Sequence, residues 1–188
     1  MLKKTLFALA VSTLMTTPAL AHSGHDVSSI ASGLLHPLTG LDHLLAISAI
    51  AIWGSRQEKI NPLALIIAFL FMMALGGVLG IQGLLIPGVE SAIIVSVLAL
   101  GLLMARQVQL GTATGIVMTM AIAFVHGQAH GGEVANATAL AYIAGYLISC
   151  AALMAAGNKA GQWLNQRPRL TLVLGSAVSL TGGAIALG

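Results

Sequence analysis

His36-Pro37-Leu38-Thr39-Gly40-Leu41-Asp42-His43 sets two imidazoles and a carboxylate inside a segment, Ser28 to Trp53, that is otherwise largely apolar. Read as one α-helix, the segment puts His36 and His43 nearly two turns apart on the same face, about 10 Å apart along the axis, with Asp42 about 100° round from His43. An ionisable side chain at membrane depth costs at least about 2.5 kcal/mol on insertion scales. Three of them in one short segment need compensation, and a bound cation provides it for all three. The sequence leaves open whether Pro37 lies inside the helix, where the Gly33 carbonyl loses its usual donor, or at the first helical position with His36 at the start.

Composition supports membrane burial. The 188 residues are 57% hydrophobic and 7% charged, with a mean hydropathy of +0.96, whereas a soluble domain carries about 25% charged residues. Such a chain cannot cover a water-facing surface, so it reads as an all-α integral membrane protein. The net charge of +3 comes from thinly spread basic residues and does not describe a nucleic-acid surface. No phosphate-binding loop of the form GxxxxGK[ST] occurs, so no ATP-driven motor is encoded. The single Cys150 excludes an intrachain disulfide and a cysteine-rich metal site, and reads as a packing residue. The methionines read as core filler; Met118 and Met120 raise Cu(I), but neither histidine motif contains sulfur.

Residues 1–21 have the pattern of a cleaved signal peptide: Lys3 and Lys4, an apolar stretch from Thr5 to Thr17, and Ala19-Leu20-Ala21. Cleavage leaves His22-Ser23-Gly24-His25-Asp26 at the mature N-terminus, where His22 and His25 form either a low-affinity outer capture site for metal or a plain flexible tail. The remainder, 22–188, reads as a single domain of six transmembrane helices over about 28–53, 62–80, 88–105, 110–130, 136–156 and 168–187. Asn61-Pro62 and Arg167-Pro168 mark helix starts. With the processed N-terminus outside, both termini are outer. Arg56, Lys59, Arg106, Lys159, Arg167 and Arg169 then all fall in inner connections, a complete positive-inside partition. Trp53 and Trp163 are expected near the inner interface. Gly76 with Gly80, and Gly111 with Gly115, are spaced for close helix packing in lipid. The two three-helix halves have opposite topology, as inverted repeats would, without a clear sequence echo.

A second motif, Phe124-Val125-His126-Gly127-Gln128-Ala129-His130-Gly131-Gly132-Glu133, ends the fourth span. His126, His130 and Glu133 follow i, i+4, i+7 spacing and share one stripe if the helix continues, although Gly131-Gly132 could end it and leave Glu133 on an outer turn. Two histidines at i, i+4 can share a metal ion. The antiparallel course of the first and fourth spans brings both motifs into the outer half of the membrane. Imidazole with carboxylate suits Ni, Co, Zn or Cu(II), whereas Mg or Ca prefers oxygen alone.

At these residues the chain resembles the HupE/UreJ family of hydrogenase and urease accessory membrane proteins, regarded as nickel permeases. The likeness rests on His36-x5-Asp42-His43, on His126-Gly-x-Ala-His130-Gly-x-Glu133, and on a signal peptide followed by six spans, and it extends over essentially the whole chain. One departure is Val125 directly before His126, where the family pattern has an aromatic and this chain has Phe124 one place earlier. The resemblance implies inward movement of Ni²⁺, with Co²⁺ as the alternative cargo, across a bacterial inner membrane.

The expected path runs from the tail to His126, His130 and Glu133, then to His36, Asp42 and His43, and inward through a neutral lower half. The metal is cargo and no permanent cofactor is expected. The partners are a divalent ion and the bilayer, with contact to a second copy or to a metallochaperone left open. A membrane metalloenzyme or haem protein is the competing class. Paired haem ligands would need histidine at both depths, and the inner half has none; a hydrolase would need a metal-activated water and a base, which Glu133 could supply, and transport rather than catalysis is the reading preferred.

Overall fold

The computed structural model describes residues 29–134 and 139–187. The expected signal peptide and the His22/His25 tail lie outside the described residues. Those described form seven α-helices and no strand: α1 Ile30–Thr39, α2 Leu41–Gly54, α3 Pro62–Ile81, α4 Val89–Ala105, α5 Thr112–Gly132, α6 Ala139–Leu164 and α7 Pro168–Leu187. Four of them (α3, α5, α6 and α7) are each long and apolar enough to cross a membrane; α1 with α2 makes a fifth by length and composition; α4 is apolar and 17 residues long.

The first expected span is not one helix. It breaks at Gly40, and α1 and α2 meet at 80°. Pro37 lies inside α1, so the turn behind it lacks one backbone hydrogen bond. Gly40 then takes an extended conformation (φ −82°, ψ 112°) and starts α2, its carbonyl accepting from the Leu44 amide at 2.9 Å. The single face that a continuous helix would have given His36 and His43 therefore does not exist. Other starts follow the sequence signals. Ser29 and Ser32 form a capping box at α1, and Asn61 Oδ1 accepts from the Leu63 and Ala64 amides with Pro62 at the first turn of α3.

In the bundle α3 lies along α5, α4 along α7, and both α1 and α2 pack on α6. Glycine sets the closest approaches. A Cβ on Gly127 or Gly131 of α5 would land on the carbonyl of Met73 or Gly77 of α3, and one on Gly76 would land on the Phe124 carbonyl. The backbones touch there, which in lipid gives van der Waals contact that larger side chains would prevent. Gly33 and Gly145 do the same where α1 crosses α6. Gly111, expected to pack with Gly115, instead faces open space. The core holds Ile47, Ile50, Trp53, Phe69, Met73, Tyr142, Tyr146, Cys150 and Met154, whereas Ile67, Phe71, Val95, Val117 and Leu180 point outward, as a lipid-facing surface requires.

The two ends of the bundle differ in chemistry. One end joins the α2–α3 and α4–α5 connections by a reciprocal glutamine seam. Gln57 Nε2 donates to the Val108 carbonyl (3.0 Å) while its Oε1 accepts from the Leu110 amide (2.9 Å). Gln109 Nε2 donates to the Arg56 carbonyl (3.0 Å) while its Oε1 accepts from the Glu58 amide (3.2 Å). Arg56 also reaches Thr171 of α7 at 3.1 Å, so this end gathers Arg56, Lys59, Arg106, Arg167 and Arg169. Trp163 is exposed here with the Arg167 guanidinium 3.9 Å from its ring centre. Trp53 lies at this same end, buried within the protein, and its indole N–H donates to the Val108 carbonyl at 3.0 Å. The opposite end carries the histidines.

Candidate metal centre

The bend at Gly40 folds the first motif back on itself, and α5 brings the second motif alongside. The His36 and His43 ring centres lie 5.9 Å apart, closer than a straight helix would place them. His130 stands between them, 4.6 Å from His36 and 4.5 Å from His43, and His126 is 5.2 Å from His43. Four imidazoles thus form one contiguous group, with His43, His126 and His130 buried.

The helix α5 continues through Gly131 and Gly132, and Glu133 caps it in the α conformation, so the i, i+4, i+7 stripe is intact. Glu133 Oε2 lies 3.3 Å from His36 Nε2. One ligand atom from each of His36, His130 and Glu133 lies within 4.8 Å of the others. A first-row dication bound at about 2.1 Å holds its ligand atoms at most about 4.2 Å apart, so small side-chain rotations close this set on one ion.

Ring tautomers follow from the neighbours. Asp42 Oδ1 accepts from the His43 amide and meets His43 Nδ1, both at 2.9 Å. A carboxylate accepts, so the proton sits on Nδ1 and the lone pair on Nε2. In His126 the Ile122 carbonyl, 2.9 Å from Nδ1, fixes the same tautomer. His43 Nε2, His126 Nε2 and both ring nitrogens of His130 are buried without a hydrogen-bond partner among the described residues. A buried polar atom in that condition costs about 1–3 kcal/mol, and a cation would relieve several together. Asp42 is placed to orient His43 through its ring N–H, and its position at the start of α2 suits a carboxylate near a helix N-terminus.

The expected path visits the second motif and then the first, both in the outer half; in the structure the two motifs interleave instead of standing as separate stations. Each level draws on both motifs: His36, His130 and Glu133 at the end of α5, and His43 with His126 one turn further in. Three residues around this group carried no signal that was read from the sequence. Tyr146 stacks on His130 (4.9 Å, 29°), and Tyr142 meets His36 edge-on at 5.7 Å. They are the only two tyrosines in the chain and stand four apart in an apolar helix, a spacing that could have revealed them. Gln128, between the two histidines of α5, faces the other way: Nε2 donates to the Leu84 carbonyl (2.7 Å) and Oε1 accepts from the Ile86 amide (3.2 Å). It ties the α3–α4 connection to the site helix.

A bundle of apolar helices enclosing a buried imidazole–carboxylate group is the build of a multi-pass membrane protein organised around an internal polar site. The comparisons with known proteins narrow this. The chain belongs to the HupE / UreJ protein family, whose model matches residues 9–185. It is 37% identical over 193 residues to Protein HupE of Rhizobium leguminosarum bv. viciae, covering 98% of this chain and 96% of that protein. No solved structure matches it.

Proposed function

We propose that this protein is a six-span permease of a bacterial inner membrane that carries Ni²⁺ inward for maturation of a hydrogenase or urease. The observation that carries the reading is the convergence of four imidazoles and Glu133 into one group, three of its rings buried with lone pairs pointing at no protein donor. Family membership supports the same assignment. The ion is captured by the processed N-terminal tail through His22 and His25. It then binds His36, His130 and Glu133, and passes by way of His130 to His43 and His126. Asp42 holds the His43 ring in the ligating tautomer. Co²⁺ shares this ligand chemistry and is the alternative cargo.

The gathering of the basic residues at the far end of the bundle supports an outward-facing histidine end with both mature termini outside. An inside-negative potential of 100 mV does about 4.6 kcal/mol of work on a dication, enough to drive uptake without ATP. The test is radiolabelled Ni²⁺ uptake into proteoliposomes with an imposed potential, with Co²⁺ and Zn²⁺ as competitors. Saturable, potential-dependent uptake lost in His130→Ala supports the reading; uptake equal to that of empty liposomes rejects it.

A further inference from the structure

The two tyrosines of α6 have the same chemistry and different fates. Tyr146 is fully buried, stacks on His130, and donates its hydroxyl to the Met73 carbonyl at 3.3 Å. Tyr142, one turn nearer the start of the helix, is equally buried, yet its hydroxyl has no hydrogen-bond partner among the described residues. Its ring is edge-on to His36 at 5.7 Å and to Tyr146 at 5.6 Å, and its own backbone carbonyl lies against Gly33, where α1 crosses α6. The ring is thereby fixed beside His36, a member of the set formed with His130 and Glu133. Buried tyrosine hydroxyls usually find a partner, and phenylalanine would fill the same space without one.

We propose that Tyr142 is a binding residue of this site, its hydroxyl hydrogen-bonding a water that the dication retains while held by His36, His130 and Glu133. The inference rests on the metal reading above. Three protein ligands leave positions on a six-coordinate ion, and water fills them. A retained water is a strong donor because the cation polarises it, so it needs an acceptor on the wall of the site. A neutral phenol oxygen accepts that bond without adding charge, so the ion is stabilised but not trapped. Tyr146 is not placed to serve in this way, since its hydroxyl oxygen is packed against Gly77 and Met73 of α3.

The experiment compares two identical deletions of one oxygen, Tyr142→Phe and Tyr146→Phe, in the full-length protein in detergent. Equilibrium Ni²⁺ binding and thermal unfolding without metal are read for both. Tyr142→Phe should raise the apparent Kd for Ni²⁺ about 3- to 10-fold, the effect of one lost hydrogen bond, while metal-free stability stays equal or rises. Tyr146→Phe should leave the Kd within about twofold. Wild-type and His130→Ala proteins separate the two levels of the argument. A wild-type protein that binds no Ni²⁺ overturns the metal reading and this inference with it. Saturable wild-type binding, lost in His130→Ala but unchanged in Tyr142→Phe, overturns the role of Tyr142 alone. So does a Tyr142→Phe protein with lowered metal-free stability and unchanged Kd, which would make the hydroxyl structural.

Discussion

Asp42→Asn separates a carboxylate that ligates metal from one that orients a ligand. In the structure Asp42 Oδ1 engages the His43 amide and His43 Nδ1, both at 2.9 Å, and the His43 nitrogen left over is Nε2. Asparagine keeps the shape and one carbonyl acceptor but removes the charge. A hydrogen bond to a charged group is worth about 1.5–3 kcal/mol and a neutral one about 1, so the direct loss is about 1 kcal/mol. The lost charge also lowers the basicity of the His43 lone pair, and losing the outer partner of a metal-ligating histidine typically costs 10- to 100-fold in metal affinity. The half-saturating Ni²⁺ concentration for uptake should therefore rise by about 10- to 100-fold, with saturation still reached. His43→Ala, which removes the ligand itself, should abolish uptake. Gly40→Ala provides a control that changes neither partner, since its Cβ would stand 3.1 Å from His43 Nδ1 and 3.2 Å from Asp42 Oδ1. It should reproduce part of the Asp42→Asn effect. The assay is initial-rate radiolabelled Ni²⁺ uptake at matched expression. Unchanged half-saturation in Asp42→Asn would refute the orienting role, and loss of uptake at every Ni²⁺ concentration would show that Asp42 binds the ion directly.

The remaining predictions concern packing, protons and sidedness. Gly131→Ala drives a Cβ into the Gly77 backbone and should cost about 1–3 kcal/mol of stability, whereas Gly132→Ala meets only the Leu85 methyl groups at 3.2–3.3 Å and should be nearly neutral; equal thermal unfolding of the two would show that α3 and α5 do not depend on backbone contact. Uptake at limiting Ni²⁺ should weaken as external pH falls through about 6.5, because an ordinary solvated imidazole, as expected for the tail's His22 and His25, gains a proton there and loses the lone pair that binds metal. Proton competition gives the effect that sign, and a flat profile between about pH 7.5 and 5 would count against metal capture by the tail. Reporter fusions after Lys59 should behave as cytoplasmic and fusions after Glu90 as exported, and N-terminal sequencing of the mature protein should begin at His22; a start at Met1 would remove the tail from the uptake path.

Residue type revealed the members of the site, and chain geometry hid their arrangement. Histidines, Asp42 and Glu133 stand out in an apolar sequence because each is costly there, so their grouping was legible before any fold was known. Helix starts at Asn61-Pro62 and Arg167-Pro168 were legible for an equally local reason, the missing amide of proline. The break at Gly40 was not. Its backbone is extended rather than left-handed, so no conformational rule demands glycine there; the demand comes from the Asp42–His43 pair lying where a side chain would go. Interleaving of the two motifs depends on where α5 crosses α1 and α2, a tertiary fact with no counterpart in spacing. The partner of Trp53 was hidden for the same reason: its indole N–H donates to a carbonyl of the α4–α5 connection, 55 residues away in sequence.

The glutamine seam at the far end has a mechanical meaning. Each side chain spans the residue before and the residue after the other glutamine, so half a turn about the seam would exchange the two connections with their bonds. The register of the two connections is thereby set from both sides: lengthening either one by a single residue would put both glutamines out of step. At about 0.5–1.5 kcal/mol each, the four bonds hold that register with about 2–6 kcal/mol.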